Sequence, residues 1–176
     1  NSARGLICDY CSQRGWNIVA YPFDRFFNLG ESHAANIDWN SAKVYDKKDG
    51  SLAILYWYKD EWHVASSRRP DASGHVCLRD PGGGIPFRQL FWEVWKSQGY
   101  QLPPPPNELS HYCYLFELTS PRHPIIVRYG VECLHLIGCR DLITLEEIDA
   151  MEVARDLGWN AVSEVDLRPY GALSAE

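Results

Sequence analysis

The sequence predicts an α+β fold in which antiparallel sheets are flanked by helices, and three observations favour this class. Apolar segments at 52–58 and 62–67 are separated by a short polar turn, which is typical of an antiparallel hairpin. One longer segment, 86–99, carries apolar residues at helical spacing. A helix-capping pattern opens a second such segment at 144–157. With 176 residues the chain can build a sizeable core, so we expect a single domain over residues 1–176.

The first half of the chain is predicted to form two hairpins. The first pairs strands at 3–9 and 16–20 through a turn near residues 14–15, and Pro22 ends its second strand. The second pairs the strands at 52–58 and 62–67 through residues 59–61. Because the run at 52–58 is apolar throughout, we expect it to be a buried strand.

The second half is predicted to begin with an amphipathic helix at 86–99, opened by Pro86 and closed by Gly99. Its apolar stripe is expected to face the core and consists of Phe87, Leu90, Phe91, Val94 and Trp95. The four prolines at 103–106 predict a stiff polyproline linker.

The remaining pattern predicts two strands, a helix and a final strand. Segment 112–118 alternates as a strand, which places Glu117 on an otherwise apolar face. Thr144 and Glu147 form a capping box for a helix that ends at Gly158. The last strand is expected at 161–165.

Composition excludes some classes and leaves others open. The net charge of −6 does not indicate nucleic-acid binding, but basic residues concentrate in the first seventy positions and no lysine follows Lys96, so a local basic groove remains an option. The six cysteines and six histidines lack zinc-ligand spacing, which favours reduced thiols in a cytoplasmic or nuclear protein. No apolar run is long enough to predict a membrane span.

The most informative motif is Lys47-x-Asp49-Gly50, which lies between apolar runs at 42–45 and 52–58. A lysine on a short connection that feeds a buried strand can point into a pocket while the sheet holds it still. The same residue types also form ordinary hairpin turns, so the motif alone is weak evidence for a site.

Several spaced elements accompany this motif in a fixed order. They are Arg4-Gly5, the aromatic-rich segment 23–31 with Arg25, the polar loop with Arg68, the pair Phe116-Glu117, and the apolar segments 125–129 and 134–140. Over residues 4–140 this order resembles the bacteriophage RNA ligase 1-like family of covalent nucleotidyltransferases. The sequence departs from the family pattern at Arg25, where the family has lysine, and at Arg69, where the family has glycine.

The resemblance implies a nucleotidyltransferase domain of the ATP-grasp-like ligase type, with an ATP cleft between antiparallel sheets. It implies that Lys47 attacks ATP in the presence of Mg²⁺ and forms lysyl-AMP. The AMP then activates an RNA 5′-phosphate, which is sealed to an RNA 3′-hydroxyl in RNA repair or tRNA splicing. Strands at 125–129 and 134–140 are implied as well.

The resemblance also assigns roles to the nucleotide-binding residues. Asp46 would accept a hydrogen bond from the adenine amino group, and Glu117 would hold the ribose. Arg4 and Arg25 would hold the β- and γ-phosphates, and Arg68 would take the basic position of its loop. Within the motif, Asp49 would orient Lys47, and Gly50 would allow the backbone to approach the nucleotide closely. Lys48 is the competing nucleophile, which the motif spacing disfavours.

Two later family motifs, a Glu-Gly pair and a Lys-x-Lys strand, do not occur in the sequence. We therefore expect a partial adenylyltransferase domain, and an enzyme that is incomplete as this chain alone. Two alternatives stay open: a non-catalytic module that binds nucleotide or RNA, and a DNA ligase or capping-type nucleotidyltransferase.

Overall fold

The computed structural model describes residues 5–77, 83–107 and 111–166. Within these residues the chain forms nine strands and two helices, and all strand pairs are antiparallel, which confirms the α+β class. The strands are β1 (Ile7–Cys11), β2 (Gly15–Ala20), β3 (Ser51–Tyr58), β4 (Glu61–Ser66), β5 (His75–Val76), β6 (Ile85–Pro86), β7 (Tyr112–Thr119), β8 (Cys133–Asp141) and β9 (Glu147–Ile148). The helices are α1 (Phe87–Ser97) and α2 (Ala150–Leu157).

A five-stranded sheet in the order β4-β3-β7-β8-β9 organises the fold. Strand β3 lies inside this sheet, and its side chains alternate between two buried clusters: Ala53 and Leu55 enter one, while Ile54 and Tyr56 enter the other. Because both faces of β3 are covered, its sequence is apolar throughout instead of alternating. The buried strand predicted at 52–58 is thereby confirmed.

The two faces of the sheet are covered by different elements. Both helices pack on one face, and the five predicted stripe residues of α1 are all buried there. The opposite face is covered by the β1–β2 hairpin, whose Val19 and Ala20 pack in one cluster with Ile54 and Leu115. The first strand begins later than predicted, at Ile7, and its partner β2 agrees with the expected hairpin.

The start of the second helix was predicted wrongly. Asp149, not Thr144, caps α2, because its carboxylate accepts hydrogen bonds from the amides of Met151 and Glu152. Glu147 belongs instead to strand β9, which pairs with β8. Its carboxylate binds the guanidinium of Arg140 at 2.8 Å, and Arg140 is only 5% exposed. Glu147 thus forms an ion pair with Arg140 and does not form the capping box with Thr144 that the sequence pattern predicted.

Two other expectations need correction. Residues 125–129 form no strand, and 161–165 contribute only isolated bridges, Leu136↔Ala161 and Tyr45↔Glu164. The polyproline segment 103–106 has neither helix nor strand, and its Pro103 carbonyl accepts a hydrogen bond from the indole N–H of Trp62 at 3.2 Å. The short strands β5 and β6 had no sequence signal. Neither described helix has the length and apolar character needed to cross a membrane.

Candidate active site

The Lys-x-Asp-Gly loop, residues 46–50, is fixed at its upstream end by the segment that follows α2. The amide of Asp46 donates to the Ser163 carbonyl at 2.9 Å, and the amide of Val165 donates to the Val44 carbonyl at 2.7 Å. At the downstream end, the Gly50 amide donates to Glu117 Oε1 at 2.9 Å. The loop is therefore held between two distant parts of the chain before it enters β3.

Gly50 is required by close packing against the protein itself. A Cβ atom at this position would lie 2.3 Å from the Leu118 carbonyl oxygen and 2.9 Å from its carbon. Both are backbone atoms of strand β7, so they cannot move away as a flexible side chain would. This contact is a structural reason for glycine at position 50, in addition to the close approach to a ligand that the resemblance implied.

Asp49 lies against the connection between β7 and β8. Its Oδ2 atom accepts hydrogen bonds from the amides of Ile126 at 2.7 Å and Val127 at 2.6 Å. These two amides lower the pKa of the Asp49 carboxyl. The backbone amide of Asp49 donates to the Tyr129 hydroxyl at 3.0 Å. The third motif residue thus anchors the loop to a segment far away in sequence.

The two adjacent lysines have different surroundings. Lys48 pairs with Asp46 Oδ2 at 2.5 Å, and this hydrogen bond raises the pKa of the Lys48 amine. Lys47 is exposed and lines a cavity of about 370 Å³ that lies against the sheet. The residues that share this cavity with it include Phe26, Tyr45, Glu117, Ile137 and Val162.

Glu117 forms part of the wall of this cavity. It lies on β7 beside the Gly50 amide, and burial raises the pKa of its carboxyl, while the Gly50 hydrogen bond and the nearby Lys47 charge act in the opposite direction. The carboxylate therefore lies in a less polar environment than a surface acid. Its second oxygen is available to a ligand because a carboxylate accepts more than one hydrogen bond.

A second cavity of about 390 Å³ adjoins the first and contains Arg25. The two cavities share Phe26, which is 75% exposed at their boundary, and Glu117. The guanidinium of Arg25 lies over the Phe27 ring at 5.1 Å. Arg25 and Lys47 therefore line adjoining cavities that both include Phe26 and Glu117.

The remaining predicted residues are less closely associated with Lys47. Arg68 lines a third cavity of about 430 Å³ together with Gly50 and Ser51. Arg4 lies outside the described residues. The structure thus gathers Asp46, Lys47 and Glu117 in one cavity and places Arg25 and Arg68 in two neighbouring ones.

Several residues of the site were not identified from the sequence. Val162 and Ile137 supply apolar walls. Ile137 lies in the segment 134–140 that carries the resemblance, but no place in the cavity was assigned to it, and Val162 had no signal that distinguishes it from a core residue. Tyr129 had a signal, since it closes the segment 125–129 that the sequence singled out, but it was assigned to a strand. Its contact with Asp49 depends on the course of a loop, which residue patterns do not specify.

The described residues offer no ready-made metal site. Within residues 5–77, 83–107 and 111–166, no group of three or more histidine, cysteine, aspartate or glutamate side chains is arranged to hold a metal ion.

Comparisons with known proteins identify relatives of this chain. It is 28% identical over 157 residues to the RNA ligase of Rhodothermus phage RM378, covering 73% of this chain and 34% of that protein. It is 31% identical over 145 residues to a protein of the Autographa californica nuclear polyhedrosis virus whose name describes a bifunctional polynucleotide kinase and RNA ligase. That match covers 72% of this chain and 19% of the viral protein. The chain therefore spans about a third or less of the length of these relatives.

Among solved structures, a single-residue variant of the Naegleria gruberi RNA ligase matches with a TM-score of 0.49 and 11% identity, covering 70% of this chain and 35% of that one. A family model described as RNA ligase matches residues 2–102, which is more than half of the 176 residues. The motif loop and the aromatic-rich segment both fall inside that range. The chain therefore belongs to the RNA ligase family, in its phage RNA ligase 1-like branch.

Proposed function

We propose that this chain provides the lysine-adenylating part of an ATP-dependent RNA ligase. The observation that carries the proposal is that Lys47 and Glu117 line one cavity, while the Gly50–Glu117 hydrogen bond ties the motif loop to that carboxylate. An amine and a partly buried acceptor that line the same cavity suit a nucleotide. The amine can attack its α-phosphate while the carboxylate accepts its ribose hydroxyls.

In the proposed reaction the neutral Lys47 amine attacks the α-phosphorus of ATP. A nitrogen–phosphorus bond forms as the bond to pyrophosphate breaks, and the amine proton passes to solvent. The AMP is then transferred to an RNA 5′-phosphate. An RNA 3′-hydroxyl finally displaces AMP and forms the phosphodiester bond. We place this activity in RNA repair or tRNA splicing.

Lys47 suits the role of nucleophile better than Lys48. The ion pair with Asp46 stabilises the protonated form of Lys48, as its raised pKa expresses, and a protonated amine has no free electron pair. By forming that pair, Asp46 also keeps the second positive charge of the loop at a fixed place beside the cavity. In this arrangement Lys48 acts as a local cation and Lys47 as the reacting group.

The other binding roles follow the cavities. Arg25, which lines the adjoining cavity, is proposed to hold the β- and γ-phosphates together with Arg4, and Arg68, which lines a cavity with Gly50, is proposed to act from there. Asp46 would accept the adenine amino group with the carboxylate oxygen that Lys48 leaves available. Arginine suits phosphate because its planar fork donates two parallel hydrogen bonds.

We also propose that the reaction uses Mg²⁺, which when bound neutralises phosphate charge. Among the described residues, no group of three or more histidine, cysteine, aspartate or glutamate side chains is arranged to hold the ion. Magnesium that accompanies ATP in solution would supply this neutralisation at the phosphates.

The test is covalent labelling of the 176-residue chain with ATP that carries a radioactive α-phosphate. We expect a slow, acid-stable adduct with ATP and not with GTP. Lys47→Ala should abolish the adduct, Lys48→Ala should retain most of it, and Lys59→Ala on the β3–β4 turn should leave it unchanged. Because all three lysines lie on turns or loops, the melting temperatures of the three variants should match that of the wild type within a few degrees.

Each alternative has its own outcome. A strong GTP adduct would assign the chain to capping-type enzymes. Adduct loss in Lys48→Ala but not in Lys47→Ala would show that the nucleophile is misassigned. If calorimetry detects no ATP binding and no adduct forms, the proposal fails for this chain. Transfer of the label to a 5′-phosphorylated RNA rather than to a DNA of the same sequence would support RNA as the substrate.

A further inference from the structure

The connection between β7 and β8 contacts the chain just after Lys47 through four of its residues. Its Ile126 and Val127 amides donate to Asp49 Oδ2, and its Tyr129 hydroxyl accepts a hydrogen bond from the Asp49 amide at 3.0 Å. His123 Nε2 lies 3.1 Å from Ser51 Oγ at the start of β3. Groups from one connection therefore bind both the side chain and the backbone amide of Asp49.

The connection is itself anchored to the body of the protein. Arg122 binds Glu132 at 2.7 Å across the connection and Glu93 of helix α1 at 2.8 Å. The Ser120 hydroxyl donates to the same Glu132 carboxylate at 2.8 Å. These contacts tie the two ends of the connection to each other and to α1. The groups that touch Asp49 are thus carried by a constrained segment.

Hydrophobic burial does not explain why the middle of the connection lies where it does. Ile126 is 85% exposed, and Ile125 and Val127 are also exposed. Exposed apolar side chains contribute little to stability, because their surface has not been removed from water. The polar contacts with Asp49 are therefore the described interactions that orient residues 126–129.

We propose that Tyr129 is a positioning residue for Lys47. Its hydroxyl fixes the backbone amide of Asp49, while the two neighbouring amides fix the carboxylate, so the peptide units after Lys47 keep one orientation. The rate of in-line attack by the Lys47 amine depends strongly on such orientation, whereas the affinity for ATP depends on it less. This role rests on the proposed function, because it concerns the same Lys47 amine.

The first test is Tyr129→Phe, which removes the hydroxyl and keeps the ring. We expect the rate of lysyl-AMP formation at saturating ATP to fall roughly tenfold, the size of one well-placed hydrogen bond. The dissociation constant for ATP, measured by calorimetry, should stay within about twofold, since no phosphate or base contact is removed. Tyr10→Phe, at an exposed tyrosine of β1, is the matched control and should change neither quantity.

The second test does not require any chemistry and so separates this proposal from the proposed function. Hydrogen exchange of the ATP-free protein should show faster exchange in a peptide covering residues 46–51 of Tyr129→Phe than in the wild type. Exchange in the β1–β2 hairpin should be unchanged. If the wild type forms no adduct, the proposed function fails, but this exchange result still decides whether Tyr129 holds the loop.

Two results would overturn the inference. Unchanged exchange at 46–51 would show that the hydroxyl does not hold the loop. Parallel losses of ATP affinity, adenylation rate and melting temperature would show a general structural role instead of a positioning one. Faster local exchange together with a slower rate, at unchanged ATP affinity and melting temperature, is the combination that a positioning residue produces.

Discussion

At Gly50 the motif loop comes into contact with the backbone of strand β7, so this residue joins the loop to the core. The Cβ atom of any other residue would lie 2.3 Å from the Leu118 carbonyl oxygen. A larger residue would push the loop away from β7 and lengthen the bond from the Gly50 amide to Glu117. The geometry of the site and the stability of the fold thus depend on the same contact.

We therefore expect Gly50→Ala to lower the free energy of unfolding by about 1–3 kcal/mol, as overpacking typically does. Urea denaturation followed by tryptophan fluorescence measures this change. Gly130→Ala is the matched control, because no atom lies within 4 Å of its Cβ position and its φ angle is not positive. It should change stability by less than about 0.5 kcal/mol. Equal effects of the two substitutions would contradict the packing argument.

At the scale of single elements, α2 shows how a local pattern competes with tertiary contacts. The capping sequence at Thr144 and Glu147 is a normal helix start, yet Glu147 pairs in β9 and binds Arg140. Arg140 also stacks over the Tyr21 ring at 4.3 Å. A buried arginine needs a partner for its charge, and supplying that partner takes priority over a cap that is worth about 1 kcal/mol.

Asp149→Ala should destabilise the protein by about 1 kcal/mol, because α2 loses the acceptor for its first free amides. Thermal unfolding of both variants compares this with Thr144→Ala, which removes an exposed hydroxyl and should cost clearly less. Asp149→Asn keeps a capping oxygen but loses the exposed ion pair with Lys43, so it should resemble the wild type more closely. A larger effect of Thr144→Ala than of Asp149→Ala would favour the original capping assignment.

Elements with a strong periodic signal were predicted well from the sequence. The α1 stripe and the buried run in β3 appear as expected, because buried positions are occupied by apolar residues. Burial on one face of a helix or on both faces of a strand therefore produces a recognisable spacing of apolar residues. Residues 125–129 carry an equally apolar run but form no strand, and Ile126 is 85% exposed. Their conformation follows from amides that bind Asp49, and amides leave no trace in the side-chain pattern.

The candidate site was predictable only in part for a similar reason. Lys47 and Glu117 were found from a motif and from an acid on an apolar strand, and the fold places both in one cavity. The separation of Arg25 and Arg68 into different cavities depends on the course of the loops that carry them. Spacing along the sequence does not determine that course. The positions of Ile137 and Val162 in the cavity wall could not be predicted either, because apolar residues in predicted strands are expected in the core.

At the scale of the whole molecule, three partly buried histidines couple folding to pH. Burial lowers the pKa of His111, His123 and His135 below the ordinary value, and the Lys48 charge adds to this at His135. Their folded forms bind protons less readily than the unfolded chain does. Glu117 acts in the opposite direction, because burial raises its pKa and the folded state then holds its proton more readily.

The sign of the histidine effect follows from proton binding. As the pH falls through about 6.5, the usual histidine pKa, the unfolded chain takes up protons that the folded chain does not. The unfolded state then binds more protons, so stability decreases toward lower pH until the folded histidines also titrate. The Glu117 contribution begins near the ordinary glutamate pKa and extends toward higher pH, because its folded pKa is raised. It is the same in two proteins that differ only at a histidine, so it does not affect their comparison.

His111 is the histidine best suited to test this coupling, because its charged form would be poorly solvated. Within the described part of the chain its Nε2 atom has no hydrogen-bond partner, and Asp141 only partly offsets the effect of burial on its pKa. We expect the melting temperature of the wild type to fall between pH 7.5 and pH 5.5 by roughly 1–3 °C more than that of His111→Gln. Calorimetry at matched ionic strength measures the change in melting temperature between the two pH values for each protein. Comparing these changes cancels any constant change in stability caused by the substitution.

The control is His75→Gln, at an exposed histidine of β5, which should keep the wild-type pH dependence. If His111→Gln and the wild type lose the same amount of stability on acidification, the burial of His111 does not contribute to the pH dependence.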